Sequence, residues 1–156
     1  MNREEAYELL HKYMKGENYI QHSMAVEAIM RGLAKRLAPE DVEYWGIAGL
    51  LHDLDEEQCD WRNHPEVHGP TSVNILHENG VNDPVLEGAI MAHNPLCGKK
   101  AGTTIEYALD PQVAYTLADD LRFARLHKQG HQRPGEQVYQ RRDRHAEQCR
   151  GTDGAF

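Results

Sequence analysis

Cysteine is scarce in this chain. Cys59, Cys97 and Cys149 are the only three. They are widely spaced and form no paired motif, which argues against a zinc ribbon or a disulfide framework and for a reducing compartment. Long apolar runs are also missing. No stretch approaches the roughly 18 uninterrupted apolar residues of a transmembrane helix, so no membrane span is expected. Basic residues are outnumbered, with 17 Lys and Arg against 25 Asp and Glu and a net charge of -8. That balance disfavours a sequence-independent nucleic-acid binder. The opening Met1-Asn2-Arg3-Glu4-Glu5 is acidic and polar, unlike a signal peptide. A cytoplasmic location is the expectation, with no membrane partner. Strand alternation and internal repeats are absent too. The 156 residues fit one domain with a buried core.

What is present is helical period. Asn2 with Glu5 makes a capping box ahead of Ala6, Leu9, Leu10 and Tyr13, and Gly16 ends that helix. Ala25, Ala28, Ile29, Leu33 and Leu37 define a second helix, broken at Pro39. A third starts near Pro39 to Asp41, carries Val42, Trp45, Ile47, Ala48, Leu50 and Leu51, and delivers His52 and Asp53 from its last turn. The charged stretch from Asp55 to Pro70 reads as loop. Thr71 to Asn79 reads as a short helix closed by Gly80. Asp83-Pro84 is a cap with a first-turn proline, opening a helix to His93. Asn94 to Thr104 reads as loop, and Asp110-Pro111 repeats the cap signature before Val113, Ala114, Leu117, Ala118 and Leu121.

Single histidines and aspartates are scattered through this pattern. His22, His52, Asp53, His68, His93 and Asp119 supply the imidazole and carboxylate groups that bind a catalytic divalent metal. Facing helices build such sites from scattered residues. Each residue also has an ordinary explanation. His22 suits a helix surface, His64 and His68 a solvated loop, and His93 the negative end of a helix. Asp119 and Asp120 suit a solvated face, and His11 and His77 read as solvent-facing. The joint reading gains weight because His52 follows Ile47-Ala48-Gly49-Leu50-Leu51 and Asp119 follows Leu117-Ala118. Polar groups beside core residues are costly to bury without partners.

Several stretches resemble the HD-domain superfamily of metal-dependent phosphohydrolases, and within it a small bacterial group. They are His22-Ser23-Met24-Ala25-Val26-Glu27-Ala28-Ile29-Met30, Trp45 to Asp55 with its His52-Asp53, His68-Gly69, Glu78-Asn79-Gly80, Ala89 to Asn94, and Tyr115 to Leu121. The resemblance covers roughly residues 19 to 121. It implies an all-α helical bundle with a central metal site. It implies His22, His52, Asp53 and Asp119 as ligands of a first ion. It implies His68 and His93 as ligands of a second, with Asp53 as the bridge. The ion would be Mn, Fe, Co, Ni or Mg, one or two per chain. Asp53, Asp55 and Glu56 are the candidate catalytic acids. Asp55, Glu56 and Glu57 are open alike to orienting water, protonating a leaving group or lying solvated. Lys99 and Lys100 are candidates to meet an anionic substrate, or merely solubilising.

The implied function is hydrolysis of a small phosphorylated metabolite or nucleotide. The alternatives are a non-catalytic, metal- or nucleotide-binding regulatory module and a di-iron oxygenase of the same fold. A homo-oligomer is compatible with all three. The charge balance changes late, from 21 acidic and 9 basic residues through Leu121 to 4 and 8 from Arg122 onward. The family pattern is expected in residues 1-121. Residues 122-156 are Arg, Gln and Gly-rich and lack its Leu-Thr-Gly continuation. Two readings stand: a divergent tail, or a one-base shift of frame near Arg122. The codon series of the source DNA across Arg122 to Phe156 decides between them.

Overall fold

The computed structural model describes residues Met1 to Asp110. Asp119, the helix expected after Asp110 and the tail lie outside the described residues. Among the described residues six α-helices run in chain order: α1 (Arg3–Tyr13), α2 (Glu17–Leu37), α3 (Val42–Leu51), α4 (Pro70–Glu78), α5 (Pro84–His93) and α6 (Thr104–Leu109). Short 3-10 turns occupy Pro39–Asp41, Pro65–Val67 and Pro95–Cys97. There is no strand among the described residues. None of the described helices is long and apolar enough to cross a membrane.

Local chemistry sets the helix ends. Asn2 Oδ1 accepts from Glu5 N at 2.9 Å and Glu5 Oε2 from Asn2 N at 2.8 Å, so the expected capping box forms. Asp83 accepts from Val85 N and Leu86 N ahead of Pro84, as its spacing predicts. The Asn94 to Thr104 segment is less irregular than expected, since Pro95–Cys97 is a turn of helix. The short α6 was not foreseen at all, although Thr103 and Glu106 form its capping box.

Helix α3 is the centre of the core. Every residue from Trp45 to Leu51 is buried, as befits a helix apolar on all sides. It lies against α2, α1 and α5. Leu50, Leu51 and Leu54 are fully buried, and each such side chain contributes about 1.5–3 kcal/mol. A Cβ on Gly49 would meet the Val26 carbonyl oxygen at 2.8 Å. Glycine therefore lets α3 approach the backbone of α2.

The buried face of α2 differs from the expected one. Ile20, Ser23, Glu27, Met30, Leu33 and Ala34 point inward, while Ile29 is 38% and Leu37 51% exposed. Glu27 explains the change of phase. Its carboxylate accepts from Arg3 Nε at 2.7 Å, Arg3 Nη2 at 3.0 Å and Arg31 Nε at 2.9 Å. Arg31 also pairs with Glu43. Paired on two sides, an ionised carboxylate can occupy a core position that hydropathy assigns to solvent. His11 also departs from its reading: it is half-buried, edge-on to the Tyr7 ring at 4.4 Å.

Candidate metal centre

The segment from His52 to Asp55 leaves the C-terminus of α3 under constraint. Leu54 anchors it in the core, which leaves His52 and Asp53 turned toward the cleft. Asp53 is the hub. Its Oδ2 lies 3.2 Å from His22 Nε2 and 3.1 Å from His52 Nε2. Its Oδ1 lies 3.2 Å from both His68 Nε2 and His93 Nε2. Five of the six ligand candidates therefore converge. His22 comes from α2, His52 and Asp53 from the end of α3, His68 from the turn before α4 and His93 from the last residue of α5.

The other ring nitrogens are occupied, which fixes three tautomers. His52 Nδ1 donates to Gly49 O at 2.8 Å. His93 Nδ1 donates to Ile90 O. His68 Nδ1 donates to Asp55 Oδ1 at 2.8 Å. The Nε2 atoms of neutral rings so held are lone-pair donors aimed at Asp53. His68 Nε2 and His93 Nε2 are only 2.9 Å apart. Two lone pairs at that separation repel unless a positive charge sits beside them. A proton supplies it in part: burial lowers the His68 imidazole, but Asp53 and Asp55 outweigh it and push it up to about 10. Burial lowers His93 instead. Asp53 resists its own burial because His52, His22 and His68 hold it well below the usual carboxylate range.

A divalent cation fits the same vacancy of charge. Ligand atoms about 2.1 Å from an ion and near 90–110° apart lie about 3.0–3.4 Å from one another. The contacts to Asp53 fall inside that range. Two groups could each hold an ion: His22, His52 and Asp53, and Asp53, His68 and His93.

Asp55 sits behind this centre. It is fully buried, and Oδ2 accepts from Gly69 N at 2.8 Å and Ser72 N at 3.2 Å. Burial raises its pKa, yet His68 and these donors bring it below the usual carboxylate range. Both of its oxygens are engaged in holding His68 and the start of α4. Gly69 has φ of 91°, a conformation that favours glycine. Asn94 Nδ2 donates to Pro65 O and His68 O at 2.7 and 2.9 Å, fixing the His68 turn against α5.

Glu56 instead faces the cleft, which measures about 460 Å³ and is also lined by Tyr19, Trp61 and Asn94. Burial and the Asp53 charge raise the Glu56 pKa. Glu57 points away and accepts from Lys15 N and Gly16 N. Lys99 bonds Glu106 at 2.9 Å, which engages it in the α5–α6 connection, and Lys100 is exposed. Ser72, Asn94, Tyr19 and Trp61 were not assigned roles from sequence. A larger depression of about 670 Å³, beside Glu5, Glu8, Tyr44 and Asp83, holds no comparable ligand group among the described residues.

The family model for the HD domain matches residues 19–144, most of the chain. The chain belongs to the HD-domain family. The match begins just before His22 and runs past Arg122. HD domains form a superfamily of metal-dependent hydrolase type, and the all-α architecture with its His/Asp cluster accords with that membership. Comparison with curated proteins and with solved structures returned no match.

Proposed function

We propose that this HD domain is a divalent-metal-dependent phosphohydrolase acting on a small phosphorylated metabolite or nucleotide. The observation that supports it is the hub at Asp53, each of whose oxygens faces two imidazole Nε2 atoms. In this reading His22, His52 and Asp53 hold one ion, and Asp53, His68 and His93 a second. Asp119 enters the first set on the family resemblance alone. A bound divalent ion supplies Lewis acidity toward a phosphoryl oxygen and lowers the pKa of water near it.

The chain's own residues do the rest. Asp53 bridges the two sets and holds their spacing. Asp55 is a positioning residue, keeping the His68 proton on Nδ1 so that Nε2 stays a ligand. Glu56, whose carboxyl lines the cleft, would give a proton to the leaving-group oxygen or take one from the attacking water. Tyr19 and Trp61 complete the cleft wall beside them.

The test is metal content of protein purified without chelator or histidine tag, beside Asp53→Ala, followed by metal-dependent phosphate release from a panel of phosphomonoesters. About one or two equivalents of metal per chain, lost in the variant, together with phosphate release, is the expected result. No metal after incubation with Mn, Fe, Co or Ni would overturn the proposal. Iron with oxygen uptake and no phosphate release would overturn it in favour of an oxygenase.

A further inference from the structure

Anionic substrates meet an acidic protein here, and Asp53 and Glu56 line the cleft itself. Most cations whose contacts are resolved are already engaged. Arg3 and Arg31 hold Glu27, Lys12 bonds Asn79, Lys15 bonds the His11 carbonyl and Lys99 bonds Glu106. Arg62 is held differently. Its guanidinium carbon stacks 4.5 Å from the centre of the Trp61 ring. No carboxylate lies within ion-pair distance of it among the described residues, and it is exposed to solvent. A hydrogen-bonding interaction with the Tyr19 side chain acts on it most strongly, and Glu56 and Asp60 act on it by charge alone.

Stacking on a ring face uses the π surface of a guanidinium and leaves its edge of five N–H donors available, more than the Tyr19 hydroxyl can engage. That edge is the part that grips phosphate or carboxylate oxygens in pairs. Trp61 lines the cleft and Arg62 does not, so the cation stands one ring outward, at the rim. Trp61 lies 5.9 Å from the His68 ring. With the 4.5 Å stack, Arg62 is therefore at most 10.4 Å from the His68 ring centre. The rim is built in advance. Gln58 Nε2 donates to Tyr13 O at 2.6 Å, and Glu57 accepts from Lys15 N and Gly16 N. These bonds join the connection between α1 and α2, just ahead of Tyr19, to the segment that leads to Trp61 and Arg62.

We propose that Arg62, stacked on Trp61 at the rim of the cleft, binds a second, non-reacting anionic group of the substrate. Preferred substrates then carry a phosphate or carboxylate besides the phosphomonoester that reacts at the metal centre. This inference rests on the phosphohydrolase reading for its kinetic form, but not for its binding form.

Adenosine 5′-monophosphate and adenosine 3′,5′-bisphosphate test it, because they differ only in the second phosphate. Both are measured on metal-loaded wild-type, Arg62→Ala and Arg62→Lys protein, by kinetics and by equilibrium binding, with metal content as the control for folding. The expected result is a wild-type preference for the bisphosphate. Arg62→Ala should raise its KM or Kd about tenfold, leave kcat in place, and move the monophosphate by less than about twofold. Arg62→Lys should retain part of the preference, as a point charge without the paired donors. Equal losses for both nucleotides, no loss, or no wild-type preference would overturn the proposal. If the wild type binds both nucleotides but hydrolyses neither, the phosphohydrolase reading fails on these substrates. The Kd ratio then still decides the role of Arg62.

Discussion

Two carboxylates of this protein, buried Glu27 and half-buried Asp53, solve the same problem in different ways. Glu27 is matched from within: Arg3 and Arg31 bring permanent positive charge and directed donors to both oxygens. Asp53 faces four imidazoles, three of which have their Nδ1 protons committed elsewhere. The first cluster is complete as a protein structure. The second is short of positive charge, which only protons or a cation can add. Burial alone therefore does not mark a functional group. What distinguishes the two is whether the chain supplies the compensating charge itself.

Asp53→Ala should give the largest effect. It removes the shared bridge, so metal affinity should fall by more than about 100-fold and activity with it, read by metal analysis and phosphate release. Retained metal in the folded variant would erase the contrast with Glu27.

Glu27→Ala should act on stability instead. It leaves Arg3 without its carboxylate and Arg31 with Glu43 alone, and should cost about 3 kcal/mol in urea unfolding. Metal content per folded molecule should not change. The pH dependence has a definite sign. Burial raises the Glu27 pKa, but the two arginines outweigh it and hold it below 4.5. Its stabilisation is thus fully present above about pH 4.5 and is lost as pH falls through the lower folded value. The variant should show a flatter loss of stability in acid than the wild type.

Asp55→Asn sharpens the comparison, because Asp55 is a buried carboxylate that serves the Asp53 cluster while being matched by donors like Glu27. The amide weakens the hold on His68, and metal affinity should drop about 10–100-fold, less than for Asp53→Ala. An unchanged metal titration would remove Asp55 from the positioning role. Smallest of all, Lys99→Ala should cost about 0.5 kcal/mol in thermal or urea unfolding, since its pair with Glu106 is partly solvated. It should leave phosphate release in place, which would separate Lys99 from any anion-binding role.

Much of this was legible beforehand. The caps at Asn2 and Asp83 were readable because capping depends on side chains within a few residues. The core helix ending in His52-Asp53 was readable because its run of apolar residues is contiguous. Helix α6 escaped notice because six residues offer too little period, and only its capping box signalled it. The face of α2 was misjudged because a hydropathy pattern places a glutamate outside. Arg3 lies 24 positions away in sequence from the carboxylate it brings into the core. Similarly, Asp55 and Glu57 looked like neighbours of Glu56 with interchangeable roles. In the structure one grips His68, one grips the backbone at the start of α2, and Glu56 alone of the three faces the cleft.

The sequence by itself determined the helical class, the helix ends and the inventory of imidazoles and carboxylates. These follow from local bonds and residue chemistry. Only the tertiary structure decided which groups meet, which ring nitrogens stay free and which charges are already matched. Those properties depend on contacts between segments far apart in the chain, and on distances of about 3 Å that no local pattern encodes.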